Sequence, residues 1–186
     1  DNAQQQKILL QEHLSKVSSK ILSSSFRFNL TPDASKDPQK PLYSIGATAE
    51  EFFAMQVLCR NVKKLFKISM SSRHEILSQL KILLREDKCR FYIIRTDVCH
   101  CFESIPHDKL FEYLEGNNLL DVKSKSLLRG LIRNEFETKN LRPLVSISQT
   151  GIPRGCAISS LLSEFYLSKI DEVLRCTLPG IVFLAR

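Results

Sequence analysis

The chain has 186 residues, of which 43% are hydrophobic, and its formal net charge is +7 with an isoelectric point near 9.2. This length and composition allow a buried core and exclude a disordered tail. No apolar run approaches the roughly 20 residues of a membrane helix, and no signal peptide is recognisable. We therefore expect a soluble, cytoplasmic protein. The positive charge favours a polyanionic partner, although ordinary solubility explains it equally well.

The N-terminal region is predicted to be a helix followed by a linker. Apolar residues recur there at helical spacing, and a Ser-rich run before Phe26 marks the end of the helix. These apolar residues are Leu10, Leu14, Val17 and Ile21. Residues 30–41 contain three prolines among Asp and Lys residues, a composition typical of a loop or linker.

Two further helices begin at predicted capping boxes. Thr48 with Glu51 opens the second helix, and Ser72 with Glu75 opens the third. The apolar residues expected to face the core are Leu58, Val62 and Leu65 on the second helix and Ile76, Leu80 and Leu83 on the third. The cations expected to face outward on the second helix are Arg60, Lys63 and Lys64.

An apolar run at residues 91–98 predicts a buried strand that delivers one carboxylate near its end. Side chains alternate along a strand, so Asp97 shares a face with Ile93 and Arg95. We expect this face to look into a cleft, where Asp97 is suited to bind a cation. A helix or turn cap is the alternative interpretation of Asp97.

Helices alternate with short apolar segments in the remainder of the chain. Pro106 suits the first turn of a helix that runs to near Gly116, and Asp121 is predicted to cap the next one. The apolar residues of these helices are Leu110, Tyr113 and Leu114, then Leu128, Leu131, Ile132 and Phe136. A short strand is predicted at residues 144–147.

A turn containing Gly151 and Gly155 precedes a long predicted helix, which Ser159 is expected to cap. The apolar face of that helix consists of Leu162, Phe165, Tyr166 and Ile170. Pro179 and Gly180 then lead into a last apolar segment, which predicts another strand.

Six cysteines are present, without a Cys-x-x-Cys pair. Cys99 and Cys101 flank His100, but in an extended segment the two thiols share one face while the imidazole points away. Because the three side chains cannot then converge on one tetrahedral ion, we expect reduced structural thiols rather than a zinc site.

Two segments resemble sequence motifs of reverse transcriptases. Residues 95–106 resemble motif A, in which an acid, here Asp97, is followed five residues later by an aromatic, here Phe102. Residues 151–166 resemble motif B. Within the family, the Pro-Arg-Gly variant at residues 153–155 and the segment at residues 67–76 are most similar to bacterial phage-defence (abortive-infection) lineages. Retron and group II intron enzymes fit less well.

The third motif of the family, an aromatic residue, a variable one and an Asp-Asp pair, is absent from the chain. Residues 180–186 resemble the strand that leads into that pair. The resemblance therefore implies the fingers and the first part of the palm of a longer protein. We expect the isolated chain to be inactive.

The resemblance implies an RNA-directed DNA polymerase, a nucleotidyltransferase that adds deoxynucleotides to a 3′ end with the help of two Mg²⁺ ions. The implied metal ligands are the Asp97 carboxylate and the Val98 backbone carbonyl. Phe102 is implied to form the floor under the incoming sugar and to exclude a ribose 2′-hydroxyl. A core aromatic is the alternative interpretation of Phe102. The implied partners are an RNA or DNA template-primer and deoxynucleoside triphosphates, in bacterial antiviral defence.

Further candidates surround these two motifs. Gly151 and Gly155 allow a close backbone approach, and Arg154 carries a planar, permanent charge that suits phosphate or a stacked base, so we expect all three to bind template-primer. Arg154 replaces the Gln that is common at this place in the family. Lys67 and Arg73 flank a helix start and are candidates for triphosphate binding. A solvated basic face explains Lys63, Lys64 and Lys67 equally well.

The sequence thus predicts an α+β fold with mainly helical fingers and a small antiparallel palm sheet. The N-terminal helix and linker occupy residues 1–41, the helical fingers residues 42–90, and the partial palm residues 91–186. The alternatives to a templated polymerase are a reverse-transcriptase-like scaffold that binds nucleic acid without catalysis, a template-independent DNA polymerase, and a protein-interaction module.

Overall fold

The computed structural model describes residues 2–33, 42–86, 92–116, 118–133, 150–181 and 183–185. These parts of the chain are mostly helical and contain one small antiparallel sheet, which is consistent with the predicted α+β class. The helices are α1 Asn2–Leu22, α2 Ala49–Leu65, α3 Arg73–Glu86, α4 Cys101–Ser104, α5 His107–Glu115, α6 Val122–Ile132 and α7 Ala157–Thr177. The strands are β1 Thr31–Asp33 and β2 Leu42–Ser44.

Three of the four predicted helix caps are confirmed. The Thr48 hydroxyl accepts the Glu51 N–H at 3.3 Å, and the Glu51 carboxylate accepts the Thr48 N–H at 3.2 Å. Ser72 and Glu75 form the same reciprocal pair at the start of α3. Asp121 Oδ1 accepts a backbone N–H at the start of α6 at 2.9 Å. Each cap satisfies backbone donors that the first helical turn leaves without partners.

One hydrophobic core contains residues of α2, α5, α6 and α7. Helix α2 packs against both α1 and α7, and the rings of Phe66 and Phe165 lie 4.5 Å apart between their centroids. The fully buried side chains include Leu58, Val62, Leu110, Leu114, Leu128, Leu131, Ile132 and Leu162. These were predicted from helical spacing, because one face of a helix repeats about every 3.6 residues.

The prediction that a residue is buried is wrong at several positions. Val17 is buried on α1, whereas Leu10 and Leu14 are 58% and 42% exposed. Leu65 and Ile170 are also exposed, although Phe66, next to Leu65, packs against the core. On α3 the predicted stripe of Ile76, Leu80 and Leu83 is half-buried. Phe136 lies outside the described residues.

The predicted strand at residues 91–98 is not formed in its described part. Residues 92–98 have no strand pairing, and Tyr92 and Ile94 are 96% and 85% exposed. A strand needs a neighbour to satisfy its backbone groups. The predicted neighbour at residues 144–147 lies outside the described residues, and the described residues of the last segment, 181 and 183–185, are not in a strand either.

The sheet that does form lies in and beside the predicted linker. Strands β1 and β2 are antiparallel, with Pro32 opposite Tyr43. This corrects the expectation that residues 30–41 are entirely loop. The sheet is held at its end by the Thr31 and Ser44 hydroxyls, whose oxygens are 2.7 Å apart.

Candidate functional site

The two motif-like segments fold against each other. The Gly151 N–H donates to the Ile105 carbonyl and the Ile152 N–H donates to the Phe102 carbonyl, both at 2.8 Å. An isolated antiparallel bridge pairs Pro106 with Thr150. Residues 102–106 and 150–154 are therefore held together by backbone contacts, and we call this arrangement the motif junction.

A buried histidine adds to the motif junction. His107, the first residue of α5, is 6% exposed, and its Nε2 lies 2.6 Å from the Gly151 carbonyl oxygen. A carbonyl accepts only, so Nε2 carries the proton in this contact. The sequence does not indicate this partner, because His107 and Gly151 lie 44 residues apart and nothing local connects them.

The glycine turn is shaped by contact with β2. Gly151 and Gly155 have φ values of 101° and 87°, a region that L side chains rarely adopt. A Cβ added at Gly155 would lie 2.6 Å from the Tyr43 carbonyl oxygen, and the Tyr43 N–H donates to the Arg154 carbonyl at 2.8 Å. In this structure the close approach that Gly155 permits is therefore to the backbone of β2.

Arg154 is held by two neighbouring residues of α4. Its Nε lies 2.5 Å from Glu103 Oε1, and its Nη2 donates to Glu103 Oε2 at 3.2 Å. Its guanidinium carbon lies 5.7 Å from the centroid of the Phe102 ring, within cation–π distance. The Arg154 and Glu103 side chains are 30% and 39% exposed. The pair is accordingly partly exposed.

Phe102 contacts both the hydrophobic core and the charged side chain of Arg154. Its ring is half-buried and lies against the hydrophobic core, while Arg154 covers it from the turn. The predicted sugar floor and the alternative, a core aromatic, are both compatible with this position.

Ser159 does not cap α7 as predicted. It lies inside the first turn of the helix and is 1% exposed, and its hydroxyl donates to the Pro153 carbonyl at 2.5 Å. The residue that precedes the helix is Cys156, which makes no side-chain cap. Ser159 therefore connects the glycine turn to α7 by a hydrogen bond. This contact forms only because the turn brings Pro153 close to the start of the helix.

The predicted metal ligand Asp97 lies on the exposed segment 92–100. Its Oδ1 accepts the backbone N–H of Val98 at 3.0 Å, and within the described residues no other hydrogen bond or ion pair involves it. No group of three His, Cys, Asp or Glu side chains in the described parts of the chain is placed to hold a metal ion. Asp97 thus fits as one oxygen ligand and does not make a metal site alone.

The candidate triphosphate residues lie on either side of the connection between α2 and α3. Lys67 is exposed with a positive φ of 50°, and Arg73 is the exposed first residue of α3. The start of α3 is already capped by Glu75, whose pKa is lowered by hydrogen bonds from Ser72. Among the described residues, no hydrogen bond or ion pair joins Lys67 or Arg73 to the motif junction.

An apolar groove of about 390 Å³ lies between α1, α2 and the start of α6. Its lining includes Leu14, Phe53 and Val57 and none of the candidate site residues. The groove is therefore separate from the motif junction. None of the helices in the described parts of the chain is long and apolar enough to cross a bilayer.

Comparison with known proteins gives two partial similarities. The chain is 26% identical over 182 residues to the "Uncharacterized 91 kDa protein in cob intron" of Schizosaccharomyces pombe, which covers 86% of the chain and 21% of that protein. It is 29% identical over 108 residues to the "Putative COX1/OXI3 intron 2 protein" of Saccharomyces cerevisiae, which covers 55% of the chain and 12% of that protein. No family model matches. The chain spans about a fifth or less of the length of these relatives.

Proposed function

We propose that this chain is the fingers and the first part of the palm of an RNA-directed DNA polymerase. The observation that carries the proposal is the motif junction, in which the segments that resemble motifs A and B are joined through Phe102, Ile105 and Gly151. Phe102 and Arg154 lie 52 positions apart in the sequence, yet Arg154 covers the Phe102 ring. Such a contact is not a consequence of local structure, which supports a shared role.

The names of the relatives favour an intron-encoded protein as the biological setting. Both similar yeast proteins are named for introns, in cob and in COX1/OXI3. We therefore propose that the polymerase acts on nucleic acid connected with an intron. The phage-defence setting is the alternative, and its support is the sequence resemblance at residues 67–76 and 153–155 alone.

The chain would contribute one carboxylate to metal binding. Asp97 and the Val98 carbonyl are oxygen donors, the kind of ligand that Mg²⁺ prefers. Two bound Mg²⁺ ions would stabilise the charge that develops on the attacking and leaving oxygens. Because one carboxylate does not hold two ions, the remaining ligands would come from a longer polypeptide.

The chain's own residues would position the substrates. Phe102 would lie under the sugar of the incoming deoxynucleotide, and its bulk would exclude a 2′-hydroxyl. Arg154, Gly151 and Gly155 would lie along the template-primer. Lys67 and Arg73 would contribute positive charge to triphosphate binding, since exposed cations attract phosphate.

A primer-extension assay tests the proposal. A polypeptide that contains this chain and continues past Arg186 is incubated with deoxynucleotides on an RNA template, on a DNA template and without a template. We expect Mg²⁺-dependent, templated incorporation on RNA that stops on chelation. Incorporation that does not depend on a template would support the template-independent alternative, and no incorporation under any condition would refute the proposal.

A binding scaffold without catalysis is the second candidate. The observation that favours it is the exposed position of Asp97, which among the described residues belongs to no group of three His, Cys, Asp or Glu side chains that could hold a metal ion. A scaffold would bind nucleic acid and incorporate nothing. Salt titration of binding then separates both candidates from a protein-interaction module, because contacts to phosphates in single strands give a log–log slope of roughly −0.7 for each phosphate.

Variants that each lose two positive charges locate the surface that binds nucleic acid. Neutralising two cations near the α2–α3 connection should flatten the salt slope if the surface lies there. The candidates are Lys63, Lys64, Lys67 and Arg73. Lys7 and Lys16 on α1 are the matched control, since Lys20 pairs with Glu50 at 2.8 Å and its loss would disturb the contact between α1 and α2. An equal loss in the control would mean diffuse binding.

A further inference from the structure

The side chains of the motif junction form a second link between α4 and the glycine turn. Glu103 faces Arg154 through two contacts, with 2.5 Å between Nε and Oε1 and 3.2 Å between Nη2 and Oε2. The Nη2–Oε2 contact is a hydrogen bond, whereas Nε and Oε1 are close enough for an ion pair but do not have hydrogen-bond geometry. The hydrogen bond and the ion pair together restrict where the guanidinium lies. Glu103 was not among the residues that the sequence indicated.

The same short helix also supplies the ring under Arg154. Phe102 directly precedes Glu103 in α4, and the Arg154 guanidinium carbon lies 5.7 Å from the centre of its ring. A cation over an aromatic face is attracted by the charge distribution of the ring. Phe102 and Glu103 therefore hold Arg154 from two directions.

The pair is ionic at neutral pH. Burial alone would raise the pKa of the Glu103 carboxyl, but the hydrogen bond and the positive charge from Arg154 outweigh burial, and the pKa lies below its ordinary value. Glu103 is therefore a carboxylate under ordinary assay conditions. Its charge fixes where the guanidinium lies.

We propose that Glu103 is a positioning residue that holds Arg154 over Phe102, so that Phe102 and Arg154 form one surface for selecting the sugar of the incoming nucleotide. This inference rests on the proposed function, in which Phe102 lies under that sugar. Glu103 itself touches no substrate. It acts by limiting the movement of Arg154 and, through the cation–π contact, of the Phe102 ring.

The test compares deoxynucleotide and ribonucleotide incorporation by the longer polypeptide described above. The parent is compared with Glu103→Gln, Arg154→Gln and the double variant. Each single change should lower the ratio of the two kcat/KM values about three- to tenfold, and the double change should lower it no further, as for two residues that act through one contact. The deoxynucleotide KM should change more than kcat, because Glu103 does not contact the reacting atoms.

The matched control is Glu112→Gln on α5, which removes the same charge from an exposed ion pair with Lys109 at 2.8 Å. It should leave the ratio unchanged. Thermal unfolding of the same variants separates selection from stability. A lower melting temperature with an unchanged ratio, or losses that add in the double variant, would overturn the positioning role. A parent that incorporates no nucleotide would refute the proposed function itself, so the two failures are distinguishable.

Discussion

Replacement of Gly155 by Ala tests whether the glycine turn is built against β2. The new Cβ would lie 2.6 Å from the Tyr43 carbonyl oxygen and 3.3 Å from the Tyr43 nitrogen, both backbone atoms that cannot rotate away. The positive φ costs an L-residue about 1–2 kcal/mol. Displacing Tyr43 also weakens its 2.8 Å hydrogen bond to the Arg154 carbonyl, worth about 1 kcal/mol. We expect a total loss of about 2–3 kcal/mol of unfolding free energy.

Two other glycines serve as controls for this change. Gly46 has a φ of 104° with no atom within 4 Å of the added Cβ, and Gly180 also has open space there. Gly46→Ala should therefore cost only about 1–2 kcal/mol for its backbone conformation, and Gly180→Ala should stay within about 0.5 kcal/mol. Urea denaturation of all three variants measures the differences. Equal losses at Gly155 and Gly46 would refute the contact with Tyr43.

Three further predictions concern single side chains. Asp121→Ala should lower the free energy of unfolding by about 1 kcal/mol at pH 7. A hydrogen bond from Ser124 lowers the pKa of Asp121, so the stability that Asp121 contributes is complete above its unfolded pKa and disappears as the pH falls through its folded pKa. Urea titrations of both proteins at pH 7 and pH 3 should therefore show a smaller difference at pH 3. Burial raises the pKa of the Cys156 thiol to about 11. Iodoacetamide at pH 8 should therefore modify the exposed Cys99 and Cys176 well before Cys156. Equal labelling of the three thiols, measured by mass spectrometry, would contradict the burial of Cys156. Phe102→Ala should relax discrimination against ribonucleotides about tenfold or more in competition assays, whereas equal slowing with both nucleotides would make Phe102 a packing residue.

Features that depend on neighbouring residues were predictable from the sequence. The caps at Thr48, Ser72 and Asp121 form between residues three apart, and the burial of Leu58 and Val62 follows from the period of one helix. Each of these signals is complete within a few residues. Sequence patterns therefore locate most of the described helices.

Features that depend on distant partners were not predictable. The apolar run that ends near Asp97 is typical of a strand, but pairing depends on a second segment, and the described part is exposed. Strand β2 instead pairs within the predicted linker region and contacts Gly155. Glu103 and Arg154 lie 51 residues apart, and opposite charge alone does not indicate which of many such residues meet.

The most direct test of the central claim, that this chain belongs to a nucleotidyltransferase, is deoxynucleotide incorporation by Asp97→Asn in the longer polypeptide. The amide keeps the size of the side chain but is not an anionic metal ligand, so incorporation should fall by at least about a thousandfold, as on removal of a group that stabilises developing charge. The melting temperature should stay unchanged, because Asp97 is exposed. Asp108→Asn, at an exposed acid on α5, is the matched control and should retain activity. Activity of Asp97→Asn within a few fold of the parent would contradict the assignment.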